Sequence, residues 1–230
     1  MAEYVIEHTS IESQLTFARM LPSLPGPGTS AFAKLVKALH PFGISPSGVT
    51  VDTPSSRMSD VVLSIVLLDK RVGIRITAAS LELLVNGLFA DDDNSLITIV
   101  DSVFDALRSI DEESVAGAVS HRVTSHFKLT SENALEFLAK HQVSNTLDAG
   151  LVVDAIAYKV NRRESDSIHA SEIRFVLAKS LLYKNALFVD LNATYPELTE
   201  TAMLFTWMNS DFDRTLAMLD LIEATDANNE

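Results

Sequence analysis

The sequence predicts an α+β fold: a largely antiparallel sheet, or sheets, covered by helices, two-lobed, with a C-terminal helix. Three observations predict it. Apolar and polar residues alternate over stretches of strand length, most regularly along Val115–Leu129. Those stretches come as neighbours joined by short polar turns, so they read as hairpins rather than as single strands between helices. Apolar stripes of helical spacing follow good capping residues at only a few places, the last near the C-terminus.

Taken in order, the first strand is read at Gln14–Met20, where Leu15 and Phe17 share a face. Leu21–Gly28 holds three prolines and two glycines and reads as a loop. Ser30 caps a helix carrying Phe32, Leu35, Val36 and Leu39, which Pro41 and Gly43 end. Ser59–Asp69 and Val72–Val85 flank the turn Asp69-Lys70-Arg71 and predict a hairpin. Within its second arm the apolar parity shifts at Ala78–Ala79, which predicts a bulge. Asp91–Ser95 then supplies a cap and negative charge for a helix with the stripe Leu96, Ile99, Val100, Val103, Phe104, Leu107 and Ile110.

In Val115–Leu129 the odd-numbered residues form the apolar face, interrupted by His121, and the even-numbered ones, including His126, form a more polar face. A short helix is read at Ser131–His141, capped by Thr130 or Ser131, followed by a polar linker around Ser144–Asp148. Three more strands are read at Leu151–Val160, Glu172–Tyr183 and Ala186–Tyr195, with a loose joint at Asn161–Ala170 and a tight one at Lys184-Asn185. Pro196 opens a helical region in which Phe205, Phe212 and Leu219 recur every seven residues, with Ala202 and Leu216 on the same side. A second helix capped by Ser210 is read after Asn209, and Glu223–Glu230 is expected to fray. The predicted organisation is an N-terminal α+β lobe over 1–145 and a C-terminal lobe over 146–230, three strands and the terminal helix, folding as one cooperative unit.

Composition narrows the function classes. The 230 residues carry a formal charge of −13 and a pI near 4.8. Such a surface repels phosphate backbones, and the basic pairs Lys70-Arg71 and Arg162-Arg163 read as solvated turns, so nucleic acid is not expected as a partner. With no cysteine there is no disulfide, thiolate–metal site or cysteine nucleophile, which fits a reducing compartment. Met1–His8 carries acidic residues where a secretory signal needs basic ones, and stretches such as Val61–Leu68 fall far short of the ~20 apolar residues of a spanning helix. A cytoplasmic protein with no membrane partner is expected.

No constellation points to catalysis or to a cofactor. Asp91-Asp92-Asp93-Asn94 lacks the glycine and distal glutamate of a calcium loop and reads as helix-terminal charge. His8, His40, His141 and His169 are scattered, and His121 and His126 face opposite ways from a straight strand, so no metal site is predicted. His121 reads as a hydrogen-bonded structural histidine or as a residue facing an internal pocket. Asp154, among Val152, Ile156, Tyr158 and Val160, reads as solvent-facing or paired with a cation, with a catalytic acid as the third option. Gly-x-Ser-x-Gly, Walker-type and GxGxxG motifs are absent.

Arg71–Asn86 leading into the helix at Ser95, and Glu172–Lys179 with Ala186–Asn192, resemble segments of an uncharacterised, sporadically distributed bacterial protein family of unknown function. The resemblance spans about half the chain, rests on element order, and implies no activity and no site residues. The strands followed by a long terminal helix are also similar to helix-grip lipid-binding folds.

These readings predict a non-enzymatic binding or assembly protein acting through protein–protein contacts, self-association included. Its candidate interaction face is Leu204, Phe205, Trp207, Met208 and Phe212, because aromatics and Met are enriched in interface cores; the alternative for this cluster is a core helix. Two other functions stay open: a helix-grip-like pocket for a small apolar ligand, with or without catalysis, lined by His121, and an acidic chaperone-like adaptor.

Overall fold

The computed structural model describes residues 1–21, 30–53, 57, 60–88, 92–110, 117–141, 155–161, 168–198 and 201–224. Among these residues are four helices and ten strands, so the chain is α+β with a large, mainly antiparallel sheet. The elements are β1 (Ala2–Thr16), α1 (Ser30–Leu39), β2 (Val49–Asp52), β3 (Val62–Leu67), β4 (Val72–Ile76), β5 (Ser80–Asn86) and α2 (Asp92–Arg108). They continue with β6 (Gly117–Leu129), α3 (Ala134–Lys140), β7 (Ala155–Asn161), β8 (Glu172–Lys179), β9 (Ala186–Leu198), α4 (Thr201–Met218) and β10 (Leu221–Glu223). Strand order is β2-β3-β4-β5-β1-β6-β9-β8-β7, and β10 lies parallel to the start of β1, with Ala2 opposite Leu221.

The chain forms two compact units, neither of them contiguous in sequence: residues 1–10, 122–193 and 207–230, and residues 11–121 and 194–206. In the first unit Tyr4 stacks on Phe127 with ring centroids 4.1 Å apart, and Phe137, Phe175, Leu177 and Val189 are fully buried. In the second, α1 packs on α2, and the core takes Leu35, Leu39, Ile65, Ile74, Leu83, Ile99 and Leu107. Each such side chain contributes roughly 1.5–3 kcal/mol by leaving water.

Several sequence expectations need correction. The first strand begins at Ala2 and stops at Thr16, where Gln14–Met20 was expected; Val5 and Ile6 are exposed, so its first half carries no alternation to read. The parity shift at Ala78–Ala79 is a hairpin turn and not a bulge. Ile74 pairs with Leu83 and Ile76 with Leu81, partners whose numbers differ by an odd count, so parity flips across the turn by itself. Thr77 closes it: its amide donates to Ser80 O at 2.9 Å, and its Oγ1 accepts from the amides of Ala79 and Ser80 at 3.1 and 3.0 Å.

The α3 cap is Asn133, whose side chain accepts from Leu135 N at 2.9 Å, in place of Thr130 or Ser131. Pro196 lies inside β9, and α4 starts only at Thr201. No break occurs at Asn209-Ser210: the neighbouring Asp211 is buried and its carboxylate accepts from the amides of His169 and Ala170, at 3.0 and 2.8 Å, so this polar run ties a loop down and starts no new helix. Glu223 belongs to β10 rather than to a frayed tail. The Leu21–Gly28 loop after Leu21, the 144–148 linker and Asp154 lie outside the described residues.

Candidate protein-interaction site

The site is built on the hairpin that joins β8 to β9. Strand β8 alternates cleanly, with Ile173, Phe175 and Leu177 buried, and this alternation stops at Lys179. Ser180 follows, itself buried, and its amide donates to Ala186 O at 2.8 Å, closing the turn. Its Oγ accepts from the amides of Leu182 and Tyr183 at 3.2 and 3.0 Å. A hydroxyl has two lone pairs and one proton. With both lone pairs taken, the proton goes to His126 Nδ1, 3.0 Å away, and His126 therefore carries its own proton on Nε2.

The far end of the turn is fixed by Asn185, in the left-handed region at φ 54°, which asparagine tolerates better than most residues. Its Nδ2 donates to Leu129 O and Glu132 O, both at 3.1 Å, while its Oδ1 accepts from Ala134 N at 2.9 Å. One side chain thus joins the turn to the end of β6 and the first turn of α3. His126 backs the turn with its ring 5.1 Å from Tyr183 and 5.2 Å from Phe188. Burial, and then the charge of His8, hold the His126 pKa below the usual histidine value.

This wiring holds two large apolar side chains in solvent. Leu181 is 96% exposed and Leu182 76% exposed, the most exposed leucines among the described residues. Single exposed apolar residues are ordinary, but an adjacent pair on a turn fastened at Ser180 and at Asn185 is a pre-organised apolar knob. Lys179 and Lys184 flank it, both exposed, in a chain whose net charge is −13.

The residues singled out from the sequence fall elsewhere. On α4, Leu204, Phe205 and Met208 are buried, so these three face inward, as a core helix requires. Trp207 stacks on His169 at 5.1 Å with rings nearly parallel, and Phe212 meets the edge of Phe127 at 6.2 Å. His121 is 2% exposed, its Nδ1 bonded to Ser13 Oγ at 2.8 Å, and burial pushes its pKa down to about 3. Its Nε2 has no partner among the described residues. Arg122 and Asp190 form a two-pronged ion pair at 2.8–2.9 Å, and Asn192 Nδ2 donates to the same carboxylate at 3.0 Å.

No protein-family model, no curated protein and no solved structure matches this chain. The site's chemistry therefore has to be read from its own groups. It offers apolar contact area, two ammonium groups and the phenol of Tyr183; its one hydroxyl–imidazole pair, Ser180 with His126, is buried with the hydroxyl oxygen already accepting from two amides, and among the described residues no group of three side chains is placed to hold a metal. Sequence reading missed Leu181 and Leu182 because it ran β8 on to Tyr183. Two adjacent leucines cannot both face one side of a strand, and that was the available signal.

Proposed function

We propose that this protein is a non-enzymatic binding protein whose Leu181–Leu182 turn inserts into an apolar cleft with an acidic rim on a partner protein. The observation that carries the reading is the 96% and 76% exposure of two adjacent leucines on a turn fastened by Ser180 and Asn185. Seating both leucines would contribute about 1.5–3 kcal/mol each. The turn's hydrogen bonds reduce the ordering cost of binding, which is what separates a docking knob from a floppy loop. Lys179 and Lys184 favour carboxylates around the cleft and speed encounter with them.

The test compares the wild type with Leu181→Ser/Leu182→Ser in capture from host extract, followed by affinity measurement with the purified captured protein. A protein held by the wild type and bound about a hundredfold more weakly by the variant supports the reading. Equal capture by both chains overturns it. Vesicles of anionic phospholipid serve as a parallel probe; binding that depends on the two leucines there would reassign the turn to a lipid surface and overturn the protein-cleft reading.

A further inference from the structure

A second site stands on the sheet of the other unit, apart from the leucine turn. On the outward face of the β3–β4–β5 meander, Val66 is opposite Gly73, and Gly73 is opposite Leu84, so one row runs aliphatic, empty, aliphatic. The row borders a hollow of about 460 Å³, lined also by Ser45 and Ser47 and, from the β3–β4 turn, by Asp69 and Lys70. The serine wall is ordered: Ser45 Oγ accepts from Gly48 N at 3.1 Å and meets Ser47 Oγ at 3.1 Å.

Gly73 has no conformational reason to be glycine. Its φ is not positive, and a Cβ built on it would meet only Leu84 side-chain atoms at 3.7 Å or more, an ordinary contact. A glycine in a strand interior weakens the strand, and a close approach by a ligand is one of the few things it gains. The turn beside it carries a second anomaly. Leu68, Asp69 and Lys70 are three consecutive non-glycine residues in the left-handed region, at φ 49°, 52° and 72°. L-residues enter that region singly as a rule, and backbone strain of this kind gathers at ligand sites. Here Asp69 and Lys70, one acidic residue and one basic, both line the same hollow.

We propose that the hollow binds a small zwitterionic α-amino acid with an aliphatic side chain. The side chain lies over Gly73 between Val66 and Leu84, the ligand's carboxylate meets Lys70, and its ammonium meets Asp69. A ligand bearing only one of the two charges leaves the opposite rim charge unanswered, which is the source of selectivity.

Free L-leucine is the probe, titrated into the full chain while amide resonances of Gly73, Leu84 and Lys70 are followed. Saturable shifts at those residues, with a dissociation constant on the order of 1 mM, are expected for a ligand of this size. N-acetyl-leucine and leucinamide should each bind at least about tenfold more weakly, one lacking the ammonium and the other the carboxylate. Gly73→Val places a side chain where the ligand's aliphatic chain would lie, between Val66 and Leu84, in a strand where a β-branched residue is at home, so it should keep or raise the melting temperature while abolishing the shifts. Absence of saturable shifts with leucine in the wild type overturns the proposal, as does undiminished binding to Gly73→Val or equal binding of the three probes. If Gly73→Val fails to fold, Gly73→Ala, whose Cβ fits without displacement, takes its place with a partial loss of affinity as the expected result.

Discussion

His121 and His126 stand on the same strand and neutralise a buried imidazole in different ways. Among the described residues His121 has Ser13 as its single hydrogen-bond partner, at 2.8 Å, and burial drives its pKa to about 3. His126 leans on Ser180 at 3.0 Å, and the hydroxyl that gives it a proton also holds the amides of Leu182 and Tyr183. The first histidine is a core group with a large acid cost, bonded to a serine that is buried as well. The second is a smaller perturbation connected through one oxygen to the turn that displays the leucines. Degree of burial therefore says little about whether a titratable group matters to a binding surface; its hydrogen-bond neighbour says more.

The largest effect expected from this contrast is on acid stability. Unfolded, His121 takes up a proton near the ordinary value of 6.5; folded, only near 3. Between those values the unfolded chain binds the proton and the folded chain does not, so stability falls as pH falls through that window. The slope is about 1.4 kcal/mol per pH unit once the unfolded histidine is fully charged, and about 4 kcal/mol would be lost by pH 3, where the folded histidine is itself half charged. Urea unfolding of the wild type and of His121→Gln at pH 7 and pH 5 isolates this contribution. The wild type should lose about 2 kcal/mol more than the variant between the two pH values; parallel losses would mean that His121 is not held neutral by the fold.

The next effect down concerns the hub. Ser180→Ala removes the acceptor of two amides and the donor to His126 Nδ1. A cost of about 1–3 kcal/mol is expected, because part-buried donors lose their partner. Hydrogen exchange at Leu182 and Tyr183 should speed up, while β9 amides keep their protection. The His126 pKa should rise only in part, since a proton donated to Nδ1 favours neutral imidazole while burial and the charge of His8 remain, and the His121 pKa should stay where it is. A His126 titration that ignores the substitution would break the proposed proton assignment and the contrast with it.

How much of this was legible in the sequence follows from which physics each element uses. The apolar face of β6 was legible, down to the buried His121, because a strand with one apolar face writes its alternation into the chain. Helices α1 and α2 were legible from their apolar stripes, although Ser30, read as the cap of α1, is its first helical residue. The first half of β1 was not, because its pairing rests on backbone bonds and on β10, and exposed Val5 and Ile6 erase the pattern. His126 was assigned to the polar face by parity, yet it is buried, because Tyr183 and Phe188 cover it from residues more than fifty positions away. The α4 aromatics were visible as a cluster, but a cluster on a helix looks the same whether it faces a partner or its own core. The candidate site was illegible for the converse reason: two leucines in a row look like core until the turn around them is known to point outward.

The smallest expected effect on stability is the one that separates display from support. Leu181→Ser/Leu182→Ser removes two side chains that the folded chain leaves almost wholly in water, so the loss of transfer free energy on folding is close to nil. Surface changes of this kind shift stability by about 0.5 kcal/mol or less. Because the Ser180 bonds go to backbone amides, the substitutions also leave the hub intact, and the His126 pKa should not move. Set beside Ser180→Ala, the pair forms a crossed test. One variant changes the turn's wiring and the histidine's titration with both leucines present; the other removes the leucines with wiring and titration unchanged. If the double variant instead loses a kilocalorie or more in urea unfolding, the leucines are packing in solution against something within the chain, and they are structural residues rather than a surface offered to a partner.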